Sequence, residues 1–195
     1  MTQHYDAIVV GTSAGGFHAL SAIVAEFPES FSLPVIVVQH TKEDNDEFLA
    51  RHLNRQSALW VKEADDKEVI QSGRLYLAPP GYHLLIEADR SFSLSVDPRV
   101  NYSRPSIDVL FNSAAEVYQD NLIGVILTGA NSDGSQGLRN IKGRGGLAIV
   151  QEPDSAEIAY MPREAIAATP VDHVLALQEI GPFLRQFHEP ILVKV

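Results

Sequence analysis

Short runs of β-branched and other apolar residues recur along this chain, and each ends at a glycine or a polar turn. The first run, Asp6 to Val10, stops at Gly11 and precedes apolar residues at helical spacing from Phe17 to Phe27. The second run, Pro34 to Val38, precedes a polar turn and a helix predicted around Glu47 to Asn54. Two successive strand and helix units indicate parallel strands joined by right-handed crossovers.

The middle of the chain has a different pattern. Between Leu59 and Val96, short alternating runs are separated by turn sequences such as Pro79-Pro80-Gly81. Such runs favour an inserted hairpin or an antiparallel edge. The three runs are Arg74 to Ala78, His83 to Ile86 and Phe92 to Val96.

The second half of the chain returns to the alternation of helices and strands. Ser106 is predicted as the N-cap of a helix to about Tyr118, and Leu122 to Leu127 as a buried strand. The chain thus predicts a doubly wound, mostly parallel α/β sheet with helices on both faces and a small antiparallel hairpin, in one domain over residues 1–195. The remaining predicted elements are a strand at Gly146 to Val150 and helices at Gly134 to Lys142, Arg163 to Ala168 and Ile180 to Phe187.

Composition removes several classes of function. The chain has no cysteine, so disulfides, thiolate metal sites and a cysteine nucleophile are excluded, and any chemistry must use oxygen or nitrogen groups. A formal net charge of −10 with scattered basic residues disfavours nucleic acid as a partner. No basic leader and no apolar run of about 18 residues is present, so we expect a cytoplasmic protein without membrane insertion.

Three turns rich in polar residues follow predicted strands. They are Gly11 to Gly16, Gln39 to Thr41 and Thr128 to Gly134. In doubly wound sheets, ligands bind outside the carboxyl ends of the strands. We therefore expect these turns to form the functional site.

The first turn matches the G-x-S-x-G nucleophile elbow, in which small neighbours leave a serine hydroxyl exposed between a strand and a helix. Ser13 is the candidate nucleophile, and the Ala14 N–H is the candidate first donor to an oxyanion. A glycine-rich turn can also bind a phosphate. The spacing is neither G-x-G-x-x-G nor a P-loop, but the motif by itself leaves a catalytic serine and a simple tight turn equally open.

His40 and Asp133 supply the groups that a reactive serine needs. His40 follows a strand predicted to lie beside the first, and histidine is the side chain best suited to exchange protons near neutral pH. Asp133 can hold the other ring nitrogen of His40, although a loop aspartate is more often a helix cap. His83 is intermediate between a functional and a structural role. The other five histidines are predicted to be surface or structural residues: His4, His18, His52, His173 and His188.

These motifs together resemble the catalytic domain of the chemotaxis protein-glutamate methylesterases, the CheB family. The resemblance implies Ser13 as nucleophile, His40 as general base and Asp133 as orienting acid, with Ala14 and Ala130 N–H groups as oxyanion donors. It also implies hydrolysis of glutamate γ-methyl esters on chemoreceptor cytoplasmic helices, and glutamine deamidation, without a metal or an organic cofactor. The shared segments are Gly11 to Gly16, Gln39-His40, Leu77 to Pro79, His83, Arg104 to Phe111, Leu127 to Gly129, Asp133-Gly134 and Met161-Pro162.

The sequence also departs from the family pattern. Ala14 stands where the family usually has threonine, and Ala130-Asn131 stands where it usually has Met-Gly. These changes keep open an alternative, a signalling adaptor with the same fold but altered specificity or no catalysis. Relatives commonly carry a receiver domain ahead of this one, which we do not expect here, so a separate regulatory protein is a possible partner. For a helical substrate, the predicted rim is the Tyr102 to Ser106 loop with the Pro79 to His83 turn.

Overall fold

The computed structural model describes residues 4–41 and 48–187. Its centre is a seven-stranded parallel sheet with the strand order β3-β4-β2-β1-β7-β8-β9, so β1 lies between β2 and β7. The chain completes one half of the sheet with β1 to β4, β3 lying at the edge, and then returns to β7 beside β1 to build the other half, as expected for a doubly wound fold. The strands are β1 (Ala7–Thr12), β2 (Val35–Gln39), β3 (Trp60–Glu63), β4 (Arg74–Leu77), β7 (Leu122–Ile126), β8 (Leu147–Gln151) and β9 (His173–Leu175).

Helices cover both faces of this sheet. Ile8 and Val10 of β1 belong to the core formed with α1, α2 and α6, whereas Ala7 and Val9 belong to the core formed with α3, α4 and α5. Successive strand residues point to opposite faces, so strands buried on both faces are apolar throughout. The helices are α1 (Gly16–Val24), α2 (Phe48–Gln56), α3 (Ile107–Tyr118), α4 (Ser135–Gly143), α5 (Tyr160–Ala168) and α6 (Leu177–Leu184).

The predicted hairpin is present, but it is smaller than the sequence indicated. Strands β5 (His83–Ile86) and β6 (Phe92–Ser95) form a separate antiparallel pair. The first of the three predicted runs is instead β4, which pairs in parallel with β2. Its placement in the antiparallel insertion was therefore wrong, because β4 follows a crossover from β3 and is buried at three of its four residues.

Two strands at the edges of the sheet were not predicted. β3 has one buried residue, Val61, and an exposed Trp60, while β9 has three residues, none of which is fully buried. Such short edge strands carry little apolar patterning, and their pairing with the sheet defines them.

Of the helix predicted around Glu47 to Asn54, Glu47 lies outside the described residues and α2 continues to Gln56. Within the described part of the chain, no helix has the length and apolar character needed to cross a bilayer.

The amino end of α3 is seated against β1 by a close contact. A Cβ atom on Gly11 would overlap the side chain of Ile107, the first residue of α3. Gly134, at φ 97°, is equally close, because its Cβ would lie 2.6 Å from Cγ2 of the same isoleucine. Ile107 therefore fits between two positions that have no side chain, and this contact sets how near α3 approaches the carboxyl edge of the sheet.

We expect Gly11→Ala to lower the free energy of unfolding by about 1–3 kcal/mol, because overpacking of a filled core displaces Ile107. In an Ile107→Ala background the added methyl group meets no opposing side chain. Gly11→Ala should then lower the free energy of unfolding by much less. Urea denaturation of the four variants of this cycle measures the coupling. Additive effects of the two substitutions would contradict the proposed contact.

Candidate active site

The three predicted turns meet at the carboxyl edge of β1, β2 and β7, the three adjacent central strands. Backbone hydrogen bonds continue past the ends of these strands and hold the turns together. The Ser13 N–H donates to the Thr128 carbonyl at 3.0 Å, and the His40 N–H donates to the Thr12 carbonyl at 3.0 Å. The parallel pairing of the strands thus places residues from distant parts of the chain side by side.

The turn after β1 requires its glycines. Gly15 has φ 80° and precedes α1, and the Gly16 N–H donates to the Ser13 carbonyl at 2.9 Å. A Cβ on Gly15 would lie 2.7 Å from Cβ of Glu157, and a Cβ on Gly16 would overlap Oε1 of Gln39. Small residues therefore permit the tight turn that leaves Ser13 partly exposed at the start of α1.

His40 and Asp133 form a hydrogen-bonded pair. Nε2 of His40 lies 2.9 Å from Oδ2 of Asp133, and the two side chains are 12% and 0% exposed. An ionised carboxylate only accepts hydrogen bonds, so Nε2 carries the proton and Nδ1 has the free lone pair. The structure thus brings together two of the three predicted catalytic side chains and fixes which nitrogen of His40 faces each side.

Asp133 is bound by four further donors besides His40. Its carboxylate lies at the amino end of α3, where the unpaired N–H groups of a helix attract a negative charge. Burial raises the pKa of Asp133, but hydrogen bonds led by those from His40 and Asn101 outweigh burial and hold the pKa below its ordinary value. The other donors are Asn101 Nδ2 at 3.0 Å, Ser106 Oγ at 2.8 Å, Ile107 N at 2.6 Å and Asp108 N at 3.2 Å.

The predicted N-cap of α3 is correct in position but not in mechanism. Ser106 immediately precedes the helix, yet its hydroxyl makes no capping hydrogen bond to the helix. It donates instead to Oδ1 of Asp133, and the Asp133 carboxylate accepts the N–H groups of Ile107 and Asp108. Asp133 therefore acts both as the helix cap and as the partner of His40, two roles that the sequence presented as alternatives.

Two residues of this network, Asn101 and Asp108, were not predicted from the sequence to belong to the site. Nδ2 of Asn101 donates to Asp133 at 3.0 Å and to Oδ2 of Asp108 at 2.8 Å, and so bridges two buried carboxylates. Burial raises the pKa of Asp108, and the nearby charge of Asp133 adds to this effect, against hydrogen bonds from Gly137 and Asn101. The positive φ of 49° at Asn101 is a conformation for which asparagine is enriched, but no spacing rule connects it with Asp133.

A second group of side chains holds the elbow to the other turns. Nε2 of Gln39 donates to the carbonyls of both Ser13 and His40, at 2.8 and 2.9 Å. Oγ1 of Thr128 donates to the Ala14 carbonyl at 2.9 Å, and the Thr128 N–H donates to Oε1 of Gln151. Because these amides and hydroxyls connect loops from different strands, they fix the backbone around Ser13 without contacting its hydroxyl.

The structure assigns His83 a supporting role. It is buried, its Nδ1 accepts the Ser106 N–H at 3.2 Å, and its Nε2 lies 3.2 Å from the Pro98 carbonyl, to which it can only donate. His83 therefore ties the hairpin to the start of α3. Of the five histidines predicted to be surface or structural, His52 contacts the Phe17 ring in a tilted arrangement with centroids 4.3 Å apart, while His188 lies outside the described residues.

Ser13 and His40 line two cavities. One, of about 310 Å³, is also lined by polar residues that include Arg99, Arg104 and Asn131. The other, of about 430 Å³, is lined by Phe17, Phe48 and Leu49, and the two phenylalanine rings stack at 5.8 Å. A bound group can thus reach Ser13 from a polar side and an aromatic side.

The Ser13 hydroxyl has no hydrogen-bond partner within residues 4–41 and 48–187, although Ser13 and His40 line both cavities. Over the same ranges, the N–H groups of Ala14 and Ala130 also lack an acceptor. Nδ1 of His40 does have a partner, the amide Nδ2 of Asn131, which lies 3.3 Å away and donates to it. The three predicted catalytic residues and both predicted donors therefore lie at one edge of the sheet, with the serine hydroxyl not yet engaged.

The fold and this site define a hydrolase built on a doubly wound α/β sheet. The family model described as CheB methylesterase matches residues 8–184, and the chain belongs to this family. A relative from Leptospira interrogans is 57% identical over 179 residues, which are 92% of this chain and 93% of the relative.

Two other comparisons place the chain at a greater distance within the family. The protein-glutamate methylesterase/protein-glutamine glutaminase of Clostridium acetobutylicum is 35% identical over 90% of this chain and 51% of its own length. The crystal structure of the Thermotoga maritima CheB methylesterase catalytic domain superimposes with a TM-score of 0.90 at 34% identity, and covers 94% of this chain and 99% of that one. The expected fold and family are confirmed.

We expect Asp133→Ala to destabilise the protein by about 3 kcal/mol at pH 7, because buried donors such as the Ile107 N–H lose their acceptor. The folded-state pKa lies below the reference value of 3.8, so this stabilisation is present above that pH and is lost as the pH falls through the folded-state pKa. Urea denaturation at several pH values should therefore show the wild type and the variant converging at low pH. A difference that stays constant down to pH ~2 would contradict the assignment of a charged Asp133.

Proposed function

We propose that this chain is a serine hydrolase that removes methyl groups from glutamate γ-methyl esters, with Ser13, His40 and Asp133 as its catalytic triad. The observation that carries the proposal is the His40–Asp133 hydrogen bond at the wall of the cavities that Ser13 also lines. This pair leaves Nδ1 of His40 as the basic nitrogen on the side away from Asp133. In the resting site this nitrogen is bound by Asn131, so Ser13 must displace the Asn131 amide to complete the triad. Catalytic hydrogen bonds often form fully only when substrate binds.

In the first step, Ser13 Oγ attacks the ester carbonyl carbon while its proton passes to Nδ1 of His40. The carbonyl π electrons move to oxygen, and the resulting oxyanion is stabilised by the N–H groups of Ala14 and Ala130. Asp133 stabilises the imidazolium through Nε2 and holds the ring in one orientation. The C–OCH₃ bond then breaks, and methanol leaves with the proton from Nδ1.

In the second step, His40 removes a proton from water, and the resulting hydroxide attacks the acyl group on Ser13. Collapse of the second tetrahedral intermediate breaks the bond between the acyl carbon and Ser13 Oγ. The glutamate carboxylate is released, and Ser13 regains its proton from His40. Besides substrate and water, the groups used in both steps are side chains and backbone N–H groups of this chain. Glutamine deamidation follows the same sequence with ammonia as the leaving group.

The substrate class is proposed from family membership and from the shape of the site. Curated relatives are named protein-glutamate methylesterase/protein-glutamine glutaminase, which specifies a residue within a protein as the target. The cavities beside Ser13 are open, as a target that is part of a folded helix requires. Methylated cytoplasmic helices of a chemoreceptor are therefore the proposed substrate, the cytoplasm is the proposed location, and a separate regulatory protein is a further proposed partner.

The Tyr102 to Ser106 loop fits the proposed rim of this substrate site. Tyr102 lines the polar cavity with Ser13, and the residue is 96% exposed. Its φ of 63° is rare for an aromatic residue, and such backbone strain often occurs at binding sites. The second predicted rim segment is the Pro79 to His83 turn. Its Pro80 lines a neighbouring cavity together with Gln39, whereas His83 is buried and is not part of the rim surface.

The adaptor alternative is less well supported. The Ala14 and Ala130-Asn131 replacements leave the backbone N–H groups in place, and the His40–Asp133 pair is intact. An adaptor has no need for a buried carboxylate held by five donors beside a partly exposed serine. Family membership and the preserved pair both favour the hydrolase.

Ser13→Ala should reduce hydrolysis of a methylated receptor fragment on the order of 10⁴-fold or more, because the nucleophile is removed. Unfolding free energy should stay within about 0.5 kcal/mol, since a partly exposed hydroxyl without a partner contributes little. Methanol release and labelling by a fluorophosphonate probe measure the reaction. Ser132→Ala, an exposed serine in the neighbouring loop, is the matched control and should retain both activities. Labelling or turnover that survives in Ser13→Ala would refute the nucleophile assignment.

Tyr102→Ala should lower kcat/KM for a methylated helical fragment about tenfold, the loss typical of a contacting aromatic side chain. Hydrolysis of a small methyl ester should change less than about twofold, because the triad is untouched. Trp60→Ala provides the control, since Trp60 is an exposed aromatic residue at the amino end of edge strand β3, opposite the site. Equal losses with both substrates would argue against Tyr102 as a substrate contact.

A further inference from the structure

The side chain of Asn131 is held in one orientation beside His40. Oδ1 of Asn131 lies 3.2 Å from the Asp133 N–H, and Nδ2 lies 3.3 Å from Nδ1 of His40. The backbone N–H can only donate, so the carboxamide oxygen faces Asp133 and its NH₂ group faces His40. Asn131 therefore donates to the nitrogen that the proposed mechanism uses as the base.

This hydrogen bond has a direct consequence for the resting site. Since Nε2 of His40 carries the proton that binds Asp133, Nδ1 has a single lone pair and accepts one donor well. Asn131 occupies that lone pair, and within the described residues the Ser13 hydroxyl has no partner. Asn131 and Ser13 thus compete for the same nitrogen of His40.

We propose that Asn131 is a further catalytic residue, whose side-chain N–H moves from Nδ1 of His40 to the oxyanion during the reaction. The inference rests on the proposed function. When the Ser13 Oγ–H bond breaks, the proton goes to Nδ1, and the new Oγ–C bond leaves the carbonyl electron pair on oxygen. Ser13 has to displace the Asn131 N–H from Nδ1 before its proton can pass there, and protonated Nδ1 no longer accepts a hydrogen bond. The Asn131 N–H is therefore available when negative charge develops on the oxygen.

The position of Asn131 suits this second role. Asn131 lines the polar cavity together with Ser13 and His40, and it follows Ala130, whose N–H has no acceptor among the described residues. A side-chain amide aimed at a developing oxyanion is an effective donor in a site of this kind. When methanol takes the proton from Nδ1 and the oxyanion collapses, the lone pair of Nδ1 is restored and Asn131 can return to it.

Two variants separate this role from a structural one. Asn131→Ala removes both hydrogen bonds, whereas the isosteric Asn131→Asp keeps an acceptor for the Asp133 N–H but replaces the NH₂ donor with a negatively charged oxygen. With a small methyl ester, we expect both to lower kcat about 100-fold, the usual effect of losing an oxyanion donor, with KM changed less than about threefold. Ser132→Ala, the adjacent exposed residue, should match the wild type.

The outcomes are distinct. Wild-type kcat in Asn131→Asp, or a raised KM with normal kcat in both variants, would overturn the catalytic role of Asn131 while leaving the hydrolase assignment in place. No methanol release by the wild type would instead refute the proposed function. A second measurement does not depend on turnover: the Asn131 side-chain amide proton, followed by NMR, should shift when Ser13 is phosphonylated. An unchanged resonance would also overturn the proposal.

Discussion

The arrangement of this site depends on one buried carboxylate. Asp133 comes from the loop after β7, but most of its donors belong to the loop that leads into α3 and to the first residues of that helix. A buried charge is tolerated only when it is fully hydrogen bonded, so the amino end of α3 and the loop after β7 must stay in contact. The same charge orients His40. Folding and chemistry therefore share a single electrostatic requirement.

The close packing around this carboxylate explains the glycines near it. Gly11 and Gly134 leave room for Ile107, whose N–H donates to Asp133, and Gly16 leaves room for Gln39, which holds the carbonyls of Ser13 and His40. Each glycine lets a second element approach a strand end closely. The elbow motif is thus one part of a larger contact region in which several loops meet at short distance.

Prediction from the sequence succeeded where segments were long or buried on both faces. β1, β2, β7 and β8 were found because continuous apolar runs ended at recognisable turns. The edge strands β3 and β9 were missed, and β4 was assigned to the hairpin. Whether a short alternating run pairs in parallel or antiparallel depends on a distant strand, and in β4 this partner is β2. Local pattern carries no information about that choice.

The sequence by itself determined the four central strands, the helices between them, and the positions of Ser13, His40 and Asp133 after three of those strands. It did so because these features are local: hydrophobic period, turn residues and reactive side chains at strand ends. Only the tertiary structure decided which nitrogen of His40 faces Asp133, and that Asn131 holds the other. These contacts join residues about ninety positions apart. They follow from how closely α3 and the loops pack, which no local pattern records.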